Sequence, residues 1–148
     1  MAAPLDNIQT SIQKARLTMR KDNRLIIAVD FDGTCVEHDY PSVGMDVEGA
    51  VDVLRSLTAK GHRLVLFTMR SGDKLEDAVR WFKERKIALW AVNENPEQRE
   101  WTSSPKVFAD LYIDDSAVGC PIRFINGVRR PVINWSKIKV QLEYDGVL

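Results

Sequence analysis

The sequence predicts an α/β fold: a parallel β-sheet with helices on both faces, built from one domain. Three observations carry this. Short apolar runs rich in β-branched residues, Leu25 to Asp30 and Arg63 to Thr68, end in polar residues as strands buried on both faces do. Amphipathic segments of helical period lie between them, and strands alternating with helices imply parallel pairing. The chain has 148 residues, 45% of them hydrophobic and 28% charged, enough to enclose one core.

The elements follow in order. Leu5, Ile8, Ile12, Ala15 and Met19 step by three and four, so residues 5–20 are expected to form an amphipathic helix, in an N-terminal extension over residues 1–23. Leu25 to Asp30 is strand one. Val47, Ala50, Val51, Leu54, Leu57 and Thr58 predict a helix over 46–60, with Asp46 as its cap and Gly61 as its stop. Arg63 to Thr68 is strand two. Asp73 and Glu76 open a second helix that closes on Lys83, Arg85 and Lys86, where cations suit the dipole. Ala88 to Val92 is strand three, and Ser104-Pro105 signals a helix with Lys106 in its first turn. Leu111 to Asp114 is strand four. Arg123 to Arg130 carries Asn126-Gly127, a small β-hairpin signal, before strand five at 131–134 and a closing helix over 135–144 capped by Asn134.

Composition excludes several classes of function. Twenty-one basic and twenty-one acidic residues leave no net charge, so no field of the whole molecule draws in nucleic acid or an anionic membrane. The longest apolar run, Ile87 to Val92, is far short of the ~20 residues of a membrane span. Cys35 and Cys120 fall in no metal or redox spacing and read as thiols of a reducing, cytoplasmic compartment; a mildly basic N-terminus leaves an organelle presequence as the alternative.

In an open parallel sheet, ligands sit outside the carboxyl ends of the strands. The residues expected there are Asp30 and Asp32 after strand one, Thr68 after strand two, Asn93 after strand three, and Asp114 and Asp115 after strand four, with Lys106 brought in by its helix. Four carboxylates at one edge call for a cation. Hard oxygen ligands favour Mg2+, and His38 and His62 fall in loops, away from the acids, which argues against zinc. A divalent cation, a lysine and a hydroxyl together suit phosphoryl transfer. Gly33 permits the turn that aims the backbone at a phosphate, and Thr34 can lock that turn.

These residues resemble the four motifs of the haloacid dehalogenase superfamily of phosphohydrolases. Asp30-Phe31-Asp32-Gly33-Thr34, Thr68, Lys106 and Asp114-Asp115 occur in that order, at intervals of 36, 38 and 8 residues, within a stretch from Leu25 to Asn134. Singly, each residue is an ordinary turn acid, hydroxyl or surface lysine; their joint order makes the case. The resemblance implies a Rossmann-like catalytic core over residues 24–148. It implies that Asp30 is the nucleophile that forms an aspartyl phosphate and that Asp32 is the acid and then the base. It further implies that Thr68 and Lys106, with Gly33, hold phosphoryl oxygens. Mg2+ would take Asp30, the backbone carbonyl of Asp32 and one of Asp114 and Asp115, with Asp115 preferred.

Chain order separates this pattern from phosphorylated receiver domains, in which an acid pair precedes the acceptor; a metal-dependent binding module without catalysis is the other alternative. The intervals between motifs leave no room for a cap domain, only a flap at Cys35 to Met45. The expected function is therefore that of a small capless phosphatase acting on a phosphorylated small molecule such as a sugar phosphate or nucleotide. The alternative is a macromolecular end, a nucleic-acid terminus or a phosphoprotein, with oligomerisation as another way to close the site. Arg70, two residues past Thr68, is expected to grip the phosphoryl group or the leaving group, with Arg123, Arg129 and Arg130 as further candidates. Trp81, Trp90, Trp101 and Trp135 are expected in the core or at its rim.

Overall fold

Four short strands pair in the order β3-β2-β1-β4, all parallel, in a computed structural model that describes residues 22–148. They are β1 (Ile26–Val29), β2 (Arg63–Leu66), β3 (Leu89–Val92) and β4 (Leu111–Ile113). The expected helix over 5–20 lies outside the described residues. Helix α1 (Ala50–Ala59) joins β1 to β2, and α2 (Gly72–Glu84) joins β2 to β3. A two-stranded antiparallel ribbon, β5 (Ile122–Arg123) with β6 (Val132–Ile133), follows, and α3 (Trp135–Tyr144) closes the chain. No helix among the described residues is long and apolar enough to cross a membrane.

Period-two alternation in β1 sends its side chains to opposite faces. Ile27 and Val29, with Leu64, Leu66 and Ile113, meet Ala50, Val53, Leu54 and Leu57 of α1, Ala78, Trp81 and Phe82 of α2, and Trp135, Ile138 and Leu142 of α3. Each large apolar side chain buried there contributes about 1.5–3 kcal/mol. Ile26, Ala28 and Val65 face the other way, against Val107 and Ala109 of the crossover from β3 to β4. The helices α1, α2 and α3 therefore lie on one face, and among the described residues the crossover covers the other.

That crossover is the largest departure. In place of a helix from Ser104 it carries one 3-10 turn, Gln98–Glu100, and then irregular chain that bends at Pro105 and Lys106. The buried Gln98 side chain explains this: its amide donates to the carbonyls of Ser104 and Lys106, and its oxygen accepts from the Phe108 N–H. Backbone groups that a helix would pair are held by a side chain instead. Too few residues remain before β4 for a helix of useful length.

Three smaller differences have local causes. Asp46 does not cap α1, which starts after Gly49 in the left-handed region (φ 85°). Its carboxylate instead accepts from Trp81 Nε1 and Arg85 Nε, both at 2.7 Å. Helix α2 opens at Gly72 with Asp73 in its first turn but without a side-chain cap bond. The fifth strand leaves the main sheet: residues 132–133 pair with 122–123, and Asn126-Gly127 forms a turn inside the longer loop between them, with Gly127 at φ 82°. Helix α3 has the expected bounds, and the Asn134 side chain caps it by accepting from Lys137 N. Trp81 and Trp135 are core residues, Trp90 is half-buried, and Trp101 is exposed with its ring edge-on to Phe108.

Candidate functional site

Strand order locates the site. Chain connections leave β1 toward β2 and β3, and then return to β4 on the far side of β1. The crevice at such a reversal is where open α/β sheets take ligands. Asp30 follows β1, and Asp114 and Asp115 follow β4, its direct neighbour, with Asp30 N donating to Ile113 O.

The segment after β1 winds on itself. Phe31 O accepts from the N–H groups of Thr34, Cys35 and Val36, and Gly33 N donates to Val36 O. Gly33 needs its positive φ of 83° here, and a Cβ would strike the His38 ring and the Asp115 carboxylate. Val36 pairs with Asp46, and Glu37 N donates to Met45 O, so residues 37–45 form a short flap of the kind the sequence leaves room for. The C-terminal elements fasten this loop: Ile133 N donates to Gly33 O, and Trp135 Nε1 donates to Thr34 O at 2.7 Å.

Three of the four expected acids meet. Asp30, Asp114 and Asp115 each offer an oxygen, all within 4.8 Å of one another. Thr34, fully buried, ties them together: its hydroxyl donates to Asp30 Oδ2 at 2.9 Å and accepts from Asp115 N at 3.2 Å. Burial, and after it the charge of Asp114, pushes the Asp30 carboxyl up to about 8. Such a group is satisfied by a proton or by a cation, and three carboxylate oxygens at this spacing suit a hard divalent ion.

The fourth acid turns away. Asp32 lies in a bidentate ion pair with Arg70, whose Nε and Nη2 each stand 2.7 Å from its carboxylate oxygens. Arg70 also donates to the carbonyls of Pro41, Ser42 and Lys74. Its guanidinium is thus committed within the protein, and its side chain is 1% exposed. The expectation that Arg70 grips a phosphoryl or leaving group is corrected on that ground.

Thr68 N donates to Asn93 Oδ1 at 2.8 Å, and its hydroxyl accepts from Arg70 N. The Thr68 O–H is therefore oriented by its neighbours and can still donate. Lys106 lies at a bend of the irregular crossover and is exposed; among the described residues its ammonium pairs with none of the four acids. Arg123 pairs with Glu48, and Arg129 and Arg130 are exposed.

His38, expected in a loop away from the acids, lies against one of them. It reaches from the flap to Asp115 Oδ2 at 3.0 Å, beside the acids rather than away from them. It does not join the group of three potential ligands, so that set remains all-oxygen. A cleft of about 370 Å³ opens beyond the end of β3, lined by Asn93, Gln98, Thr102, Ser104 and Pro105 among others; none of the acids lines it.

Comparison with known proteins gives one informative likeness. A solved structure of a conserved protein from Bacteroides thetaiotaomicron is 36% identical, over 81% of this chain and 90% of that one, with a TM-score of 0.67. The chain belongs to the family of that protein. The likeness extends over most of both chains, so the family shares a core of this size, and the description of the Bacteroides protein states no activity. No protein-family model matches the chain, and no curated protein does.

Proposed function

We propose that the chain is a Mg2+-dependent phosphatase of the haloacid dehalogenase type, hydrolysing a phosphate monoester through an aspartyl phosphate on Asp30. The observation that supports this best is the meeting of Asp30 with Asp114 and Asp115 at the reversal of strand order, with Asp32 two residues away and outside the triple. Asp30, Asp114 and Asp115 would hold the metal, together with the Asp32 carbonyl. The bound ion supplies positive charge that keeps Asp30 ionised despite its burial and neutralises phosphoryl oxygens.

The remaining chemistry belongs to the chain. Asp32, the exposed partner of its ion pair, first takes up a proton from solvent; an Asp30 carboxylate oxygen then attacks phosphorus, the bond from phosphorus to the ester oxygen breaks, and that oxygen takes the Asp32 proton. Water then attacks the phosphorus of the aspartyl phosphate while Asp32 takes back a proton, which releases phosphate and restores Asp30. Thr68 donates its O–H to a phosphoryl oxygen, and Lys106 swings in from the exposed crossover to pair with another. The flap, whose His38 reaches Asp115, is the loop that borders the acids, and with no cap domain in the chain's intervals the substrate we take for this site is a phosphorylated small molecule.

A panel of phosphate esters assayed with Mg2+ tests this reading. Asp30→Asn should abolish turnover while leaving the fold intact. Asp32→Asn should slow turnover by about 10²–10⁴, with rapid quench showing a phosphoenzyme on Asp30 wherever its hydrolysis is the slower step. Full turnover by the Asp30→Asn protein would refute the assignment.

A further inference from the structure

Arg70 has a place that its position in the sequence does not announce. It makes five hydrogen bonds: Nε and Nη2 to the two oxygens of Asp32, Nη2 again to Ser42 O at 2.6 Å, and Nη1 to Pro41 O and Lys74 O at 3.1 and 3.5 Å. A guanidinium has five N–H donors, so none is left for a ligand. Its guanidinium carbon also lies over the Phe31 ring at 5.1 Å and over the Tyr40 ring at 5.2 Å. A cation so enclosed cannot bind substrate. It can fix whatever it holds.

What it holds is specific. Asp32 remains 19% exposed while Arg70 is 1% exposed, so the pair has a wet side and a dry side. Two parallel bonds in one plane set the direction of the carboxylate as a single bond would not. Pro41 and Ser42 belong to the flap, and Lys74 lies in the first turn of α2. One side chain thus joins a carboxylate, a loop and a helix that sequence separates by up to 42 residues.

We propose that Arg70 is a positioning residue: it locks the Asp32 carboxylate to the flap 37–45 as one unit, so that the acid/base group and the loop over it share one geometry. The catalytic part of this inference rests on the phosphatase reading above; the mechanical part does not. Arg70 contacts no reacting atom and acts through Asp32. Lysine would keep the charge without the fork, so it would restore the geometry only in part.

Two measurements on Arg70→Met and Arg70→Lys, each first shown by melting to be folded, separate the possibilities. In the first, hydrogen exchange of the flap is followed in the wild type, Arg70→Met, Asp32→Asn and the double variant. Both single changes should speed exchange over 37–45, and the double variant should be no faster than Arg70→Met, because the two residues act as one unit. Unchanged exchange, or additive effects, would overturn the clamp whatever the chemistry of the protein.

In the second, kcat and KM are compared for an alkyl phosphate, whose leaving oxygen needs a proton, and for dinitrophenyl phosphate, whose leaving group needs none. Misplacement of Asp32 should lower kcat/KM, which reports the transfer to Asp30, for the alkyl ester on the order of 100-fold, while the dinitrophenyl ester keeps most of its kcat/KM; kcat for both falls where hydrolysis of the phosphoenzyme, with Asp32 as base, is the slower step. Arg70→Lys should fall between Arg70→Met and the wild type, and guanidinium ion should restore part of the alkyl-ester rate to Arg70→Met. Equal losses on both esters would place Arg70 in general support of the fold and overturn the positioning role. If Asp30→Asn retains turnover or the wild type shows none, the phosphatase reading fails, and the exchange experiment still decides the clamp.

Discussion

Asp30 gives the most direct physical test, because its carboxyl is pushed up to about 8 by burial and by the charge of Asp114. An unfolded chain would hold the same group near 3.8. The folded state thus binds this proton more tightly than the unfolded state. For a group raised in this way, the stabilisation is complete below the lower value and is lost as pH rises through the upper one. Between pH 5 and pH 7, metal-free protein should lose about 2–3 kcal/mol of stability through this one group, which is roughly 5–10 °C in Tm for a chain of this size. Asp30→Asn removes the titration, so the variant should lack this part of the slope and should be the more stable of the two at pH 7 without metal. Mg2+ competes with the same proton, so each pH unit below about 8 should weaken its binding about tenfold. At pH 8.5, Mg2+ at 100 times its Kd should add about 2.7 kcal/mol, and at pH 6 the same concentration should add little. Thermal melts of both proteins across this range, with chelator and with Mg2+, measure every part of this. Equal pH slopes for wild type and Asp30→Asn, or a Mg2+ effect independent of pH, would refute the reasoning.

Residues in which local chemistry and topology agree were legible in the sequence. The apolar run at 25–30 could only be a buried strand, and a parallel sheet places the acids after it at the ligand edge, so Asp30 meets Asp114 and Asp115 as expected. The Asn134 cap and the bounds of α3 were legible because capping is local. The crossover from β3 to β4 was not. Ser104-Pro105 is a valid helix start, but Gln98, six residues before Ser104, claims the carbonyls and N–H that such a helix needs. A tertiary hydrogen bond outweighed a local signal. Lys106 consequently stands at a bend in irregular chain rather than at a helix N-terminus.

Arg70 and His38 show a different limit. Each lies near a motif residue, but the side that its chain faces depends on how the flap folds back, and the flap is set by Val36 pairing with Asp46 and by the loop closed between them. A signal for Arg70 did exist. A single arginine two residues past Thr68, on a chain with more acids at the sheet edge than one metal ion needs, is expected to neutralise the spare one; Asp32 is that acid. Asp46 followed a comparable path, since a carboxylate suited to capping a helix was taken instead by Trp81 and Arg85. In each case long-range pairing of a charge overrode the role suggested by its neighbours in sequence.

Two further outcomes follow from the loop around Asp30. Cys35 is fully buried, and burial, together with the charge of Asp30, pushes its thiol well above the ordinary range. An aromatic disulfide reagent should therefore label Cys120, which is partly exposed, in the native protein, and Cys35 only on unfolding; rapid double labelling without denaturant would contradict the packing. Thr34 carries the last prediction, because its hydroxyl is the one group that both donates to Asp30 Oδ2 and accepts from Asp115 N. Thr34→Val keeps the shape and removes both bonds. The Asp115 N–H then loses its partner in a buried setting, at a cost of about 1–3 kcal/mol measurable by denaturant unfolding. The Thr34 bond also lowers the Asp30 carboxyl, so its loss should raise that group further and weaken Mg2+ binding near neutral pH. Thr34→Ser, which restores the hydroxyl and gives up one methyl, should recover most of the metal affinity while keeping a small loss of stability. If valine and serine weaken Mg2+ equally, the methyl rather than the hydroxyl matters, and the link from Thr34 to the acids does not shape the site.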